Sequence, residues 1–206
     1  MRIAIIALGT RGDVQPYIAL GKGLKDAGHV IRLLTHQNFE ALVTSSGLEF
    51  WPVRGNVQDV AESPEMRELL DKGNFLTITK HTAKAAERAA VQWTEDSVAA
   101  CQDMELLIAG IGGLYIGVAL AEKFGLPFVQ AYLVPFTPTS AFPGALLPQA
   151  LPKLGGAINR FTHHAVRQMM WQGFRSADQQ SRQMLGLPAA PRFGPYHSER
   201  LRGLPV

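Results

Sequence analysis

The alternation of short apolar runs with helical stretches constrains this chain more than any other feature. Ile3–Leu8 is an isoleucine-rich apolar run, the pattern of a strand buried on both faces of a parallel sheet. Gly9-Thr10-Arg11-Gly12 then turns the chain, and glycines there permit a tight turn and close approach of a ligand to the backbone. Pro16 stands where a helix can begin, and that helix runs through Leu24 to a cap at Gly28. Val30–Thr35 reads as a second strand, Phe39–Ser46 as a short helix stopped by Gly47, and Leu48–Val53 as a third strand. This β-α-β-α-β order implies right-handed crossovers and a parallel sheet with helices on both faces.

The alternation continues. Ser63–Leu70 reads as a short helix, and Leu76–Gln102 as a long one. Ala83, Ala86, Ala90, Trp93, Ser97 and Ala100 follow helical spacing in the second, and the alanines suggest close packing on the sheet. Glu105–Ala109 is a fourth strand, followed by the turn Gly110-Ile111-Gly112-Gly113. Tyr115–Phe124 reads as a helix with Val118, Ala121 and Phe124 inward, and Phe128–Leu133 as a fifth strand. Pro135–Gly144 is proline-rich, Gln149–Leu154 has no clear pattern, and Ile158–Leu185 is a long helix with a candidate kink at Gly173. The domain is expected to span residues 1–187, its helical extension starting near 149, and residues 188–206 read as a linker carrying Arg192, Arg200 and Arg202.

Composition narrows the class. The chain has 206 residues and a formal charge of +3, too mild a balance to argue for nucleic acid. Cys101 is its one cysteine, which excludes an internal disulfide and fits a reducing, cytoplasmic setting. Cys101 itself reads as a small packed residue near a helix end. The N-terminal apolar stretch is too short for a secretory signal, and no stretch approaches the ~20 apolar residues needed to span a bilayer. No cluster has metal-ligand spacing.

The chemistry-bearing candidates lie at strand ends. Ligands of open parallel sheets bind beyond the carboxyl ends of the strands, where Asp13 follows the first strand. Read locally, Asp13 is either a helix cap or a general base for a bound hydroxyl. The loop is not a Walker loop, since G-x-x-x-x-G-K-[ST] is missing, and it misses the third glycine of G-x-G-x-x-G. Arg11-Gly12-Asp13 matches an adhesion tripeptide by coincidence. His36 ends the second strand near the same edge. The pair His163-His164 reads as solvated helix surface, because adjacent helical residues face different directions.

GTRGDVQPYIALGKGLKDAGH, VIRLLTH-x-x-FE and SSGLEFWPVRGN, in that order, resemble sterol glucosyltransferases and related bacterial glycosyltransferases of antibiotics and lipids. LIAG, VALAEKFGLPFVQA, PFTPTSAFP and the helix with Asn159 and Trp171 are similar to later segments of the same family. The resemblance implies the Rossmann-like N-terminal half of a two-domain GT-B glycosyltransferase, with the donor-binding domain lying outside this sequence. It implies inverting transfer of a hexose, glucose from UDP-glucose, to a hydrophobic hydroxylated acceptor such as a sterol, lipid or polyketide-like product. It favours Asp13 as the base over Asp13 as a cap. Thr10, Arg11 and the Gly12 amide are the candidates for donor phosphate or loop contacts. His36, Phe136, Thr137, Phe142, Phe161, Met170 and Trp171 are the candidates for the acceptor site, with Met169 beside them. No cofactor or metal is implied beyond the nucleotide-sugar co-substrate. Peripheral membrane contact is compatible with such an acceptor. The competing readings are half of a sugar-nucleotide epimerase and a non-catalytic lipid-binding module.

Overall fold

The computed structural model describes residues 1–57, 63–64, 66, 68, 75–144, 147 and 155–195. Five parallel strands form one sheet in the order β3-β2-β1-β4-β5. They are β1 (Arg2–Ile6), β2 (Val30–His36), β3 (Glu49–Val53), β4 (Leu106–Ala109) and β5 (Phe128–Gln130). The helices are α1 (Arg11–Asp26), α2 (Glu40–Thr44), α3 (Phe75–Cys101), α4 (Leu114–Phe124) and α5 (Gly156–Leu185).

Strand periodicity divides the core in two. Ile3, Ile5 and Ala7 pack with Val14, Tyr17 and Ile18 of α1 and Val43 of α2 on one face. Ala4, Ile6 and Leu8 pack with residues of α3, α4 and α5 on the other. This is the two-residue alternation of a strand carried into two hydrophobic layers. The chain order explains which helix goes where. The sheet first grows from β1 to β2 and β3, then returns to β4 and β5 on the far side of β1. With crossovers of one hand, reversing the direction of growth moves the later helices to the opposite face.

Details depart from the expectations at element ends. The first helix starts at Arg11, not at Pro16, so Pro16 lies inside it and forfeits one backbone hydrogen bond. β5 stops at Gln130 rather than Leu133, because its partner β4 ends at Ala109. α5 runs through Gly173 without a break. Half of the short helix expected over Ser63–Leu70 falls outside the described residues, and Gln149–Leu154 and the linker beyond residue 195 lie wholly outside them. Cys101 is a buried thiol at the end of α3, pushed up to about 12 chiefly by burial.

Arg32 of β2 is buried and ties three elements together. Its guanidinium reaches Glu49 of β3 at 2.7 Å, Asp103 at 2.7 Å and the Ala100 carbonyl at 2.8 Å. Its charge is thus met on several sides, the condition under which burying a cation is tolerable.

The turn after β4 packs directly on the end of β1. A Cβ on Gly112 would overlap the Leu8 carbonyl oxygen, a backbone atom that cannot swing aside. Gly23 of α1, by contrast, faces open space. Gly112→Ala is therefore expected to cost about 2–4 kcal/mol through overpacking. Gly23→Ala should instead gain about 0.4–1 kcal/mol. Urea melts of the two variants check this; equal effects would contradict the backbone contact.

Candidate functional site at the sheet's switch point

The direction of strand growth reverses between β1 and β4, so the turns leaving these two strands diverge. Such a point, beyond the carboxyl ends of parallel strands, is where open α/β sheets bind ligands. Here the β1–α1 turn, Leu8-Gly9-Thr10, faces the β4–α4 turn, Gly110–Gly113, and both line two adjoining cavities that share Asp13.

Asp13 is held by its own loop. Its Oδ2 accepts from the Thr10 N–H at 2.8 Å and from the Thr10 hydroxyl at 3.0 Å. The seat exists because Gly9 has no side chain; a Cβ there would overlap Asp13 Oδ2, and Gly9 has φ 154°. Asp13 also lies in the first turn of α1, where the helix dipole favours a negative charge. One turn on, the Tyr17 hydroxyl donates to the Ala131 carbonyl at 2.5 Å. Burial, with Asp13 adding to it, pushes that phenol up to about 12, so it stays a neutral donor that ties α1 to the end of β5.

The larger cavity measures about 460 Å³, within the usual range of small-molecule sites. It opens between α3 and α5 over the two turns. Ile78, Ala85, Ala86, Ala89, Ala90 and Trp93 form its α3 wall. Met170, Phe174, Ala177, Asp178 and Ser181 form its α5 wall. Ile111, Tyr115 and Ile116 close it from the α4 side. The space is there because the α3 wall is mostly alanine. The smaller cavity, about 80 Å³, lies between the Asp13–Tyr17 turn of α1 and Leu133-Val134.

A family model described as the glycosyltransferase family 28 N-terminal domain matches residues 3–143. The chain belongs to this family. Among curated proteins it is similar to the sterol 3-beta-glucosyltransferase of Debaryomyces hansenii, 34% identical over 186 residues and 89% of this chain. It is 36% identical over 193 residues, 91% of this chain, to the sterol 3-beta-glucosyltransferase of Pichia angusta. The chain spans only 11% and 15% of those two relatives' lengths. Among solved structures, the glycosyltransferase SsfS6 of Streptomyces sp. SF2575 matches 93% of this chain and 48% of its own, with TM-score 0.59 and 19% identity. SnogD of Streptomyces nogalater matches 93% of this chain and 42% of its own, with TM-score 0.56 and 16% identity. These two likenesses concern the fold.

In this family 28 N-terminal domain the residues expected at an acceptor site are scattered. Met170 lines the large cavity. Trp171, its neighbour, does not line the cavity: it is fully buried, packs at a tilt against Tyr115 and donates to the Arg192 carbonyl at 3.0 Å. Phe136 is buried beneath the Arg167 guanidinium and against Tyr132. Thr137 is exposed, Phe142 lies over His163, and Phe161 is 69% exposed at the start of α5. None of these five lines either cavity. Met169 is half-buried on α5, also outside both. His36 is buried behind Trp93, with Nδ1 3.1 Å from the Val53 carbonyl, and burial pushes its imidazole down. His163 corrects the expectation of a solvated pair. It is buried because the 135–144 loop folds over α5, placing the Phe142 carbonyl 3.1 Å from its Nε2.

Sequence reasoning found Met170 but missed the rest of the α5 wall. Its signal was the spacing of Met170, Phe174, Ala177 and Ser181, a helical stripe that continues past Trp171. It also missed Asp178, an acid inside that stripe. Asp178 is 2% exposed and pairs with Arg182 at 3.1 Å, which in turn reaches Glu122 of α4 at 2.9 Å. Burial pushes the Asp178 carboxyl up to about 6, against the opposing pull of Arg182.

That shift has a definite sign. The unfolded chain ionises near the ordinary aspartate value of about 3.9, while the folded chain holds its proton until about 6. Stability from this group is therefore lost as pH rises through that window. Asp178→Asn removes this dependence. Urea melts at pH ~4 and pH ~7 should show the wild type losing stability relative to the variant as pH rises; a pH-independent difference would contradict it.

Proposed function

We propose that this domain supplies the acceptor site and the general base of a nucleotide-sugar glycosyltransferase acting on a hydrophobic alcohol. One observation carries the reading: an ionisable carboxylate, Asp13, stands at the edge of a large, mostly apolar cavity at the sheet's switch point. An apolar acceptor would lie between the alanine wall of α3 and the Met170–Phe174 wall of α5, with its hydroxyl toward Asp13. The names of the curated relatives support a sterol as the acceptor and glucose as the sugar.

In this mechanism Asp13 takes the proton of the acceptor hydroxyl as its oxygen attacks the anomeric carbon. The new C–O bond forms on the face opposite the leaving group. The old bond breaks with its electron pair going to the nucleoside diphosphate, which gives inversion. Positioning of the acceptor in a mostly apolar cavity and general-base catalysis each contribute to rate. Residues 1–187 form the acceptor-side domain, and residues 188–206 lead toward a donor-binding domain. UDP-glucose is the donor in this reading, and the setting is cytoplasmic with peripheral membrane contact. Among the described residues, no helix is long and apolar enough to cross a membrane.

Two experiments test the reading. Calorimetry of the 206-residue chain should show binding of a sterol and only weak binding of UDP-glucose. Ala89→Phe, which fills the cavity, should weaken sterol binding by about tenfold or more; unchanged affinity would place the sterol elsewhere. In the enzyme that joins this chain to its donor domain, Asp13→Asn should lower kcat by about 10²–10⁴-fold with the acceptor still bound. Activity within a few-fold of wild type would reduce Asp13 to a helix cap.

A further inference from the structure

We infer that Thr10 is a positioning residue for the base: its side chain fixes which oxygen of Asp13 receives the acceptor proton. The inference rests on the reading of Asp13 as general base. It assigns Thr10 a task other than contact with the donor phosphate.

The geometry is specific. A threonine at the start of a helix usually caps it by accepting a hydrogen bond, through its side-chain oxygen, from a first-turn N–H. That duty uses a lone pair and leaves the hydroxyl proton free. Here the proton is spent on Asp13, with the Thr10 hydroxyl donating to Oδ2 at 3.0 Å. The Asp13 N–H reaches the Thr10 carbonyl oxygen at 2.9 Å, and Thr10 and Asp13 close a capping box in which the Thr10 side chain also faces that N–H, so the hydroxyl proton is what this pair adds to an ordinary cap. The Thr10 N–H donates to the same Oδ2 at 2.8 Å. Two donors from one residue converge on one carboxylate oxygen.

Two consequences follow for a base. Convergent donors restrict rotation of the carboxylate about its Cβ–Cγ bond, so the plane of the group is set before the acceptor arrives. They also occupy Oδ2, leaving Oδ1 without a hydrogen-bond partner among the described residues and available for the acceptor hydroxyl. The missing side chain at Gly9 gives Oδ2 the space for this arrangement. A carboxylate oriented in advance needs no reorganisation in the transition state, and this benefit appears in kcat rather than in acceptor binding.

The experiment compares Thr10→Val, Thr10→Ser and Asp13→Asn in the enzyme that joins this chain to its donor domain. kcat and KM are measured for both substrates, along with Tm. Valine keeps the shape and the backbone donor but removes the hydroxyl. It should lower kcat by about tenfold, the worth of one hydrogen bond to a charged group, with both KM values within about twofold. Serine restores the donor and should keep kcat within about threefold of wild type. Thr10→Val with wild-type kcat and a lowered Tm would overturn the inference, leaving Thr10 a helix cap. A raised donor KM with unchanged kcat would overturn it in favour of a phosphate contact. Asp13→Asn at wild-type activity would overturn the reading of the base itself, an outcome distinct from either Thr10 result.

Discussion

The backbone contact between the two turns that leave β1 and β4 is the constraint on which the rest of the site depends. Gly112 lies so close to the Leu8 carbonyl that no side chain fits between them. This closeness keeps the β1–α1 and β4–α4 turns side by side where the direction of strand growth reverses. Any larger residue would push α4 away from β1 and part the two turns. Asp13, already exposed in the first turn of α1, would then no longer stand at the rim of a cavity. A parallel sheet produces such a crevice by topology alone, but the width of the crevice is decided by a few atoms at this contact.

The cavity above these turns is made by subtraction. α3 and α5 lie against each other on one face of the sheet, and the α3 wall offers methyl groups where larger side chains would meet α5. Leaving apolar space unfilled forgoes dispersion contacts and so costs stability. The fold offsets this beyond the cavity rather than across it. Trp171 is buried beside Tyr115, Thr94 and Ser181 share a hydroxyl hydrogen bond at 2.8 Å, and Arg182 ties α5 to α4 through Glu122. The walls are therefore braced at their backs, which lets the space between them stay open. Tyr115, Ser181 and Asp178 do both, bordering the cavity as well as bracing its walls.

The fold was legible in the sequence because its signals are local. Ile3–Leu8, Val30–Thr35 and Leu106–Ala109 are branched apolar runs that only a buried strand accommodates well. Asp13 was legible because it follows the first strand within one turn. Pro16 misled the placement of the helix start, since a proline tolerated in a first turn can also sit one turn further in. The cavity was not legible. Ala86 and Ala90 carry the same helical period whether they pack on a sheet or face an empty space; what stands opposite them decides, and that is set by α5, far along the chain. His163 and Trp171 were hidden for the same reason. Their burial depends on the 135–144 loop and residues 187–193 folding back over α5, contacts with no signature in the helix itself. Phe161 and Phe142 show the converse, since aromatic character alone does not tell a pocket wall from a surface.

The distribution of polar groups around the switch point bears on the division of labour in the proposed reaction. A nucleoside diphosphate needs several converging donors or cations, because its charge is dense and strongly hydrated. On this rim the Thr10 N–H and hydroxyl are already committed to Asp13, and the Arg11 Nε donates to Gln15 at 3.1 Å. What remains is the rest of the Arg11 guanidinium and the first-turn amide of Gly12, a sparse set for a diphosphate. The cavity is the reverse case, broad and mostly apolar, with its carboxylate at one edge. A loop that spends its donors on Asp13 has few left for a phosphate, and a wall lined with alanine and methionine has little to offer a charged one. In the proposed reaction the same short loop would therefore favour the acceptor over the donor, through hydrogen bonds made within the loop itself.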